Sequence, residues 1–144
     1  LGEVVTDAVA AVQSVAASKQ VTVTTDLAPA SVRGDRDRLR RAVADLLDNA
    51  LKFTPPGGTV AVGLRVEAGS AVLSITDTGP GIDPVDLPFV FDRFYRSRSA
   101  RGTQGIGLGL AVVKGLVEAH GGAVDAANAP EGGALFTVRL PLAG

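Results

Sequence analysis

Residues 45–53, DLLDNALKF, carry polar side chains whose types could hold a metal ion and a phosphate. Two carboxylates, an amide and an ammonium group are related by spacings of three and four residues: Asp45 to Asp48 and Asn49, and these two to Lys52. A helix would place them on successive turns of one face. An amide or carboxylate oxygen can complete the octahedron of a phosphate-bound magnesium ion, and a lysine adds positive charge for the phosphate. A solvated helix face has a similar composition, so that alternative stays open.

A second group of candidate residues follows a strand pattern. Residues 71–76, AVLSIT, alternate apolar and small polar side chains and run into DTGPGI at 77–82. Gly79 and Gly81 would let the backbone approach a planar ring, and Asp77 could accept a hydrogen bond from an exocyclic amine. Adenine has such an amine, whereas guanine presents a carbonyl there. An ordinary turn uses the same residue types, so it is the alternative.

A third group is the glycine-rich stretch GIGLGL at 105–110, which leads into an apolar pattern predicting a helix that ends near His120. A glycine-rich entry to a helix binds anions, because free backbone N–H groups and the positive end of the helix dipole meet there. None of the lysines is followed by Ser or Thr, which excludes a Walker loop. A Rossmann fingerprint needs an apolar strand directly before its glycines, whereas the polar run at 96–104 stands there, so the stretch does not match that motif either.

Taken in this order, the three motifs resemble those of the catalytic ATP-binding domain of sensor histidine kinases. FDRFYR at 91–96 and EGGALFTVRLP at 131–141 match two further motifs of that family, so the resemblance covers essentially the whole chain. The wider superfamily includes the ATPase parts of DNA gyrase, a heat-shock chaperone and a mismatch-repair protein. The resemblance implies one domain over 1–144 with a Bergerat-type α/β (α+β) fold. In that two-layer sandwich, about three helices cover one face of a mixed, mostly antiparallel sheet.

The resemblance also implies roles for individual residues. Asn49 would hold Mg²⁺, and Asp45 and Lys52 would act beside it in catalysis. Asp45 stands where the family often has Asn, so it could orient a water on the metal or serve as a base. Ala134 stands where the family usually has Thr, whose hydroxyl helps a buried water molecule to contact the adenine, so this contact could be missing or replaced. The residues expected to bind ATP are Asp77, Gly79, Gly81, Ile82, Arg93, Gln104, Gly105, Gly107, Leu108 and Gly109.

The implied activity is transfer of the γ-phosphate of ATP to a histidine on a separate dimerisation domain, followed by relay to an aspartate of a response regulator. His120 is the single histidine of the chain and precedes two glycines, which predicts a helix-terminal role for it. The phosphoacceptor is therefore expected outside this chain. The alternatives are a superfamily ATPase or serine kinase, and a nucleotide-binding interaction module without chemistry.

The composition of the chain limits the classes of partner that we expect it to bind. A chain of 144 residues with 46% hydrophobic residues is long enough for one core, and a net charge of -1 gives no reason to expect nucleic acid. No stretch reaches the ~18 apolar residues of a membrane span, so we expect no direct membrane contact. The absence of methionine predicts a fragment of a longer protein. The resemblance implies a cytoplasmic domain whose parent is anchored in the cell membrane.

The remaining patterns predict the elements that position these motifs. Helical apolar spacing covers 4–17, and a second helix carries the 45–53 motif until PPGG at 55–58 ends it. Between Asp92 and Gln104 we expect an arginine-rich ATP lid, of which residues 96–104 are mobile without nucleotide; an arginine-rich surface loop is the alternative. The aromatic residues at the start of the lid are expected to dock in the core: Phe89, Phe91, Phe94 and Tyr95. Strands are predicted at 21–27, 59–67, 70–77, 123–128 and 134–141.

Overall fold

A computed structural model describes residues 1–92 and 108–143, without the side chains of Leu108 and Gly109. Within these ranges the elements lie close to the predicted ones, and a short 3₁₀ helix, Leu87–Phe89, was not predicted. The helices are α1 (Gly2–Ser18), α2 (Arg36–Phe53) and α3 (Leu108–Ala119). The strands are β1 (Thr22–Leu27), β2 (Thr59–Glu67), β3 (Ser70–Asp77), β4 (Ala123–Asn128) and β5 (Ala134–Pro141).

The five strands form one sheet in the order β1-β2-β3-β5-β4. β1 runs parallel to β2, and the other neighbouring pairs are antiparallel. Alternate residues such as Val62 on β2 and its partner Ile75 on β3 are buried in a core shared with α1, α2 and α3. The predicted sandwich with a mixed, mostly antiparallel sheet is therefore confirmed. Among the described residues, no helix is both long and apolar enough to cross a membrane.

Helix α2 forms because its sequence has a clear start, an apolar stripe and a clear end. The Asp35 side chain accepts hydrogen bonds from the backbone N–H groups of Asp37 and Arg38 at 3.0 and 3.1 Å, which caps the helix. The buried stripe includes Leu46 and Leu47, both fully inaccessible to solvent. At the other end the hydroxyl of Thr54 donates to the carbonyl of Ala50 at 2.7 Å, and the helix stops before Pro55.

His120 joins the end of α3 to the start of α2. Its Nδ1 lies 2.7 Å from the Leu116 carbonyl oxygen, and its Nε2 lies 3.0 Å from the backbone nitrogen of Asp35. Nε2 can accept that N–H only if the ring proton is on Nδ1, so the two bonds select one neutral tautomer. Gly121 follows at φ +77°, and the N–H of Gly122 donates to the Val117 carbonyl at 3.0 Å, which closes the helix. The structural role expected for His120 agrees with this geometry.

The segment before the predicted lid corrects one expectation. Val90 is fully buried, and the ring of Phe91 meets Phe136 edge-on with centroids 6.1 Å apart. Phe89 is 46% exposed, so the prediction that it docks in the core is wrong. The reason is that Phe89 closes the Leu87–Phe89 turn on its outer side while the next two residues enter the core. Phe94, Tyr95 and the rest of the predicted lid lie outside the described residues.

The contact between Gly34 and His120 allows a test of the connection that His120 makes between α3 and α2. A Cβ at Gly34 would overlap the imidazole ring, so Gly34→Ala must displace the ring and break its two hydrogen bonds. We expect a loss of about 1–2 kcal/mol in the free energy of unfolding, measured by urea denaturation. In a His120→Ala background the same substitution should cost less, with a coupling of about 1 kcal/mol.

Gly115→Ala in α3 is the matched control, because a Cβ there would meet nothing within 4 Å. It should stabilise the protein by about 0.5–1 kcal/mol, as expected for a helical glycine. Equal effects of Gly34→Ala in both backgrounds would show that the His120 imidazole does not connect the end of α3 to the start of α2.

Candidate nucleotide-binding site

The site is organised around Asp77, the last residue of β3. Its side chain is buried, with 3% of the residue exposed. Oδ1 accepts hydrogen bonds from the backbone N–H groups of Gly79 at 2.9 Å and Ala134 at 3.1 Å. Burial raises the pKa of this carboxyl, and the two N–H donors partly oppose that shift. Neither bond uses Oδ2, so among the described residues the second oxygen remains available to a ligand.

The glycines of the DTGPGI turn have reasons within the protein itself. A Cβ at Gly79 would lie 2.5 Å from the carbonyl oxygen of Phe53, which brings the turn against the end of α2. Gly81 has φ +81°, and a Cβ there would lie 2.7 Å from Asn128 Oδ1. Both glycines therefore allow close backbone packing beside Asp77. Their contact with a planar ring stays a prediction, as does that of Ile82, which is 9% exposed.

Helix α2 brings its polar edge to the same region. Asn49 precedes Phe53 by one helical turn, and Phe53 is the residue whose carbonyl meets Gly79. Among the described residues, Asn49 Oδ1 is buried and has no hydrogen-bond partner. An unpaired buried carbonyl oxygen costs about 1–3 kcal/mol, so it needs an explanation. A hard cation such as Mg²⁺ takes an oxygen ligand of this kind.

Asp45 and Lys52 flank Asn49 along α2. Asp45 has 25% of its side chain exposed, and its Oδ2 lies 3.8 Å from Arg41 Nε. Burial raises the pKa of Asp45, the Arg41 guanidinium lowers it, and the nearby Asp48 raises it further. Lys52 is exposed in the last turn of the helix, from where a flexible ammonium can reach toward a phosphate. The structure thus places the three predicted residues along one side of α2.

The phosphate end of the predicted site is described only in part. Arg93, Gln104, Gly105 and Gly107 lie outside the described residues, so their roles stay predictions. Leu108 and Gly109 begin α3, as the glycine-led helix pattern predicted, and their contact with a phosphate is untested. Within the parts of the chain that the structure describes, no group of three or more His, Cys, Asp or Glu side chains could hold a metal ion. A magnesium site here would therefore rely on phosphate and water oxygens besides Asn49.

Two residues of the β4–β5 connection were not singled out from the sequence. Gly133 has φ +84°, and a Cβ there would collide with the carbonyl group of Asp77. Asn128 makes two hydrogen bonds with the backbone of Ile82, at 2.6 and 2.8 Å. The sequence signal for Gly133 was its place in the 131–141 motif. Asn128 gave only the signal of a polar residue at a strand end, which usually marks a turn.

Comparisons with known proteins agree with this geometry. The sequence pattern of the family described as "Histidine kinase-, DNA gyrase B-, and HSP90-like ATPase" matches residues 34–144. Over 106 residues the chain is 51% identical to the signal transduction histidine-protein kinase/phosphatase MprB of Mycolicibacterium vanbaalenii, covering 73% of this chain and 22% of that protein. Sensor protein SphS of Synechococcus elongatus is 43% identical over 119 residues, which are 76% of this chain and 29% of SphS.

Solved structures give the same result. The mycobacterial sensor histidine kinase MprB superposes with a TM-score of 0.88 at 41% identity, covering 98% of this chain and 95% of that one. Full-length ShkA in complex with AMPPNP superposes with a TM-score of 0.84 at 29% identity, covering 98% of this chain and 30% of ShkA. The catalytic domain of histidine kinase ThkA, at 20% identity, shows the fold alone, with a TM-score of 0.85 over 97% of this chain and 92% of that one.

The chain belongs to the histidine kinase-, DNA gyrase B- and HSP90-like ATPase family. Within it, the relatives place this chain in the sensor histidine kinase branch as an ATP-dependent catalytic domain. It spans less than a third of the length of the curated relatives it matches. The predicted family and enzyme class are therefore confirmed, while the activity of a whole protein is a separate question.

The raised pKa of Asp77 predicts how its replacement changes stability with pH. An acid whose pKa is higher in the folded state makes its stabilising contribution at low pH and loses it as pH rises through the folded pKa. Asp77→Asn keeps an Oδ1 acceptor and cannot ionise. The free energy of unfolding of the variant, relative to wild type, should therefore rise from about pH 4 upward and then level off.

Urea unfolding of both proteins between pH 4 and 7 measures this difference. Asp45 and Asp48, whose pKa values are also raised by burial, are present in both proteins and cancel. Parallel pH profiles, or a variant that loses relative stability as pH rises, would contradict the assignment.

Proposed function

We propose that this chain binds Mg-ATP with the adenine at Asp77 and donates the γ-phosphate to a histidine on a separate dimerisation domain. The observation that carries the proposal is the state of the Asp77 carboxylate. Asp77 is a buried residue whose Oδ1 is occupied by two backbone N–H groups, so among the described residues Oδ2 is left to accept a hydrogen bond from the adenine amine. The guanine carbonyl at the equivalent position would face a carboxylate oxygen and be repelled.

Ala134 contributes to adenine recognition through its backbone. It stands where the resembled family usually has Thr, which raised the question whether an adenine contact is missing. The Ala134 N–H donates directly to Asp77, and this contact needs no side-chain hydroxyl. The substitution therefore leaves the orientation of the carboxylate intact, and any water between Asp77 and the ring would be held by other groups.

The residues of α2 fit a magnesium-bound triphosphate. Asn49 Oδ1, buried and unpaired among the described residues, would be the protein's ligand to Mg²⁺. When bound, Mg²⁺ would supply positive charge that offsets the charge of the phosphates. Lys52, one turn after Asn49 on α2, would form an ion pair with a phosphate. Asp45 would hold a water molecule beside the phosphates. Because phosphoryl transfer depends mostly on positioning and charge stabilisation, no nucleophile is needed in this chain.

The transfer step forms a nitrogen–phosphorus bond on the acceptor imidazole and breaks the bond between the γ-phosphorus and the β–γ bridging oxygen. ADP leaves with that oxygen, and the imidazole loses its N–H proton to solvent. His120 is unsuited to be the acceptor, because both of its ring nitrogens already make hydrogen bonds. The acceptor therefore lies on another domain of the same parent protein, and a response-regulator aspartate receives the phosphate next.

The relatives support this placement in a longer protein. MprB of Mycolicibacterium vanbaalenii is named a signal transduction histidine-protein kinase/phosphatase, and the aligned region covers 22% of its length. The remaining length in such a parent would hold the dimerisation domain and a sensor part. We therefore propose that this chain is a cytoplasmic domain whose parent is anchored in the cell membrane.

Phosphotransfer from γ-labelled ATP tests the proposal and the role of Asp45 together. The chain alone should bind ATP and gain no stable phosphate, whereas a supplied histidine-bearing dimerisation domain should become labelled with acid-labile phosphate. Asp45→Asn keeps an oxygen at the same reach, so it should preserve ATP binding and most of the transfer.

The opposite outcomes are equally specific. Stable label on His120 would overturn the claim of an external acceptor, and hydrolysis without transfer would favour the superfamily ATPase. A loss of about 100-fold or more in Asp45→Asn, with ATP binding intact, would show that Asp45 is a general base.

A second prediction separates the two consequences of the unpaired oxygen of Asn49. Asn49→Leu replaces an amide whose oxygen is buried with an apolar side chain of the same branched shape and number of heavy atoms, so the nucleotide-free protein should be more stable by about 1 kcal/mol. The same variant should lose the increase in ATP affinity that Mg²⁺ produces in wild type. Calorimetry with and without Mg²⁺ and urea unfolding measure the two effects.

Asn49→Asp is the control, because it keeps an oxygen ligand. It should retain an affinity increase with Mg²⁺ and show no stabilisation. If Asn49→Leu kept the full magnesium effect, Asn49 would not be the ligand.

A further inference from the structure

Asn128 bridges two distant parts of the chain through its side chain. It is the last residue of β4, and its Oδ1 accepts the backbone N–H of Ile82 at 2.6 Å. Its Nδ2 donates to the backbone carbonyl of the same residue at 2.8 Å. The partners are 46 positions apart, so this is no local turn of an asparagine on its own backbone. The amide holds the Ile82 backbone as a neighbouring strand would.

The bridge requires the conformation of the residue before Ile82. Gly81 has φ +81°, a region that residues with a Cβ rarely adopt. A Cβ at that position would lie 2.7 Å from Asn128 Oδ1, inside van der Waals contact. The glycine therefore lets the amide lie flat against the backbone of the DTGPGI turn, and the amide in turn fixes the glycine in that conformation.

The same strand pair also holds Asp77. Asn128 and Ala134 are directly opposite each other, as the final pair between β4 and β5. Ala134 donates its N–H to Asp77 Oδ1 at 3.1 Å. The connection between them is closed by the Ala129 N–H, which donates to the Gly133 carbonyl at 2.8 Å. One cross-strand pair thus fixes the carboxylate on one side and the far end of its turn on the other.

We propose that Asn128 is a positioning residue that holds residues 79–82 in the adenine-binding conformation before nucleotide arrives. The proposal rests on the proposed function, which places adenine at Asp77. Ordering a turn with two glycines costs conformational entropy. A clamp that orders the turn in the free protein removes that cost from nucleotide binding. Asn128 need not contact the nucleotide to act in this way.

Asn128→Ala in the whole 144-residue chain tests the clamp, with adenosine, ADP and Mg-ATP as the probes. The Kd should rise by a similar factor for all three, roughly tenfold for two lost hydrogen bonds. In the phosphotransfer assay KM for ATP should rise and kcat should change little. Amide exchange at Gly81 and Ile82 should be faster in the nucleotide-free variant and return toward wild type at saturating ADP.

Val124→Ala is the matched control. Val124 lies on the same strand and packs partly buried against the core, away from Ile82. It should lower the stability measured by urea unfolding and leave the three Kd values within about twofold of wild type. Asn128→Asp keeps one acceptor and sets a second oxygen against the Ile82 carbonyl, so it should not restore wild-type affinity.

The outcomes separate this proposal from the function on which it rests. If wild type binds none of the probes, or if Asp77→Asn leaves their affinities unchanged, the adenine assignment fails. If wild type binds adenosine and Asn128→Ala changes neither its Kd nor amide exchange at Ile82, only the positioning role is overturned. A loss confined to Mg-ATP, with adenosine unchanged, would also overturn it, because the effect would then lie at the phosphates.

Discussion

The two hydrogen bonds to Asp77 Oδ1 are the interaction on which the site depends. A buried carboxylate is costly unless polar groups replace its water, and two backbone N–H groups do so here. One donor, Gly79, belongs to the turn after β3, and the other, Ala134, belongs to β5 and lies 57 positions from Asp77 in the chain. The β3–β5 register must bring Ala134 beside the end of β3, and position 133 must be glycine because a Cβ would collide with Asp77. The pairing of β3 with β5 therefore also sets the position of the Asp77 carboxylate.

Under the proposed function, helix α2 carries a conflict between stability and binding within one element. Its apolar stripe is buried as completely as any part of the core, with Leu46 and Leu47 fully inaccessible. On the edge of that stripe, Asn49 buries an oxygen that no described group satisfies. A helix selected only for packing would carry an apolar residue there. Under the proposed function, Mg²⁺ supplies the missing partner, and the unpaired oxygen costs stability in the free state.

Most elements were predictable because their signals are local. Alternation of apolar and polar residues along 134–141 indicates a strand. The Pro and Gly residues at 55–58 and the glycines after His120 mark helix ends through the backbone conformations that they permit. The same reasoning failed at Phe89, because the side that a residue faces in an irregular turn depends on what the turn packs against. The 3₁₀ helix Leu87–Phe89 was missed for the same reason. Asp77, Gly79 and Gly81 were singled out from their types and spacing as candidate nucleotide-binding residues, and the structure shows that Gly79 and Gly81 serve the protein's own packing.

The sequence by itself determined the order and type of the α-helices and strands, the polar edge of α2, the carboxylate at the end of β3 and the family. These depend on residue types at fixed short spacings, which the chain displays directly. Only the tertiary structure decided that Asn128 holds Ile82, that Ala134 serves Asp77 and that His120 joins Asp35 across 85 positions. All three contacts use a backbone N–H group, which every non-proline residue carries, and the first also uses the amide of Asn128, a side chain that usually marks a turn. Such pairings have no local pattern, because the register of the sheet and the packing of helices bring their members together.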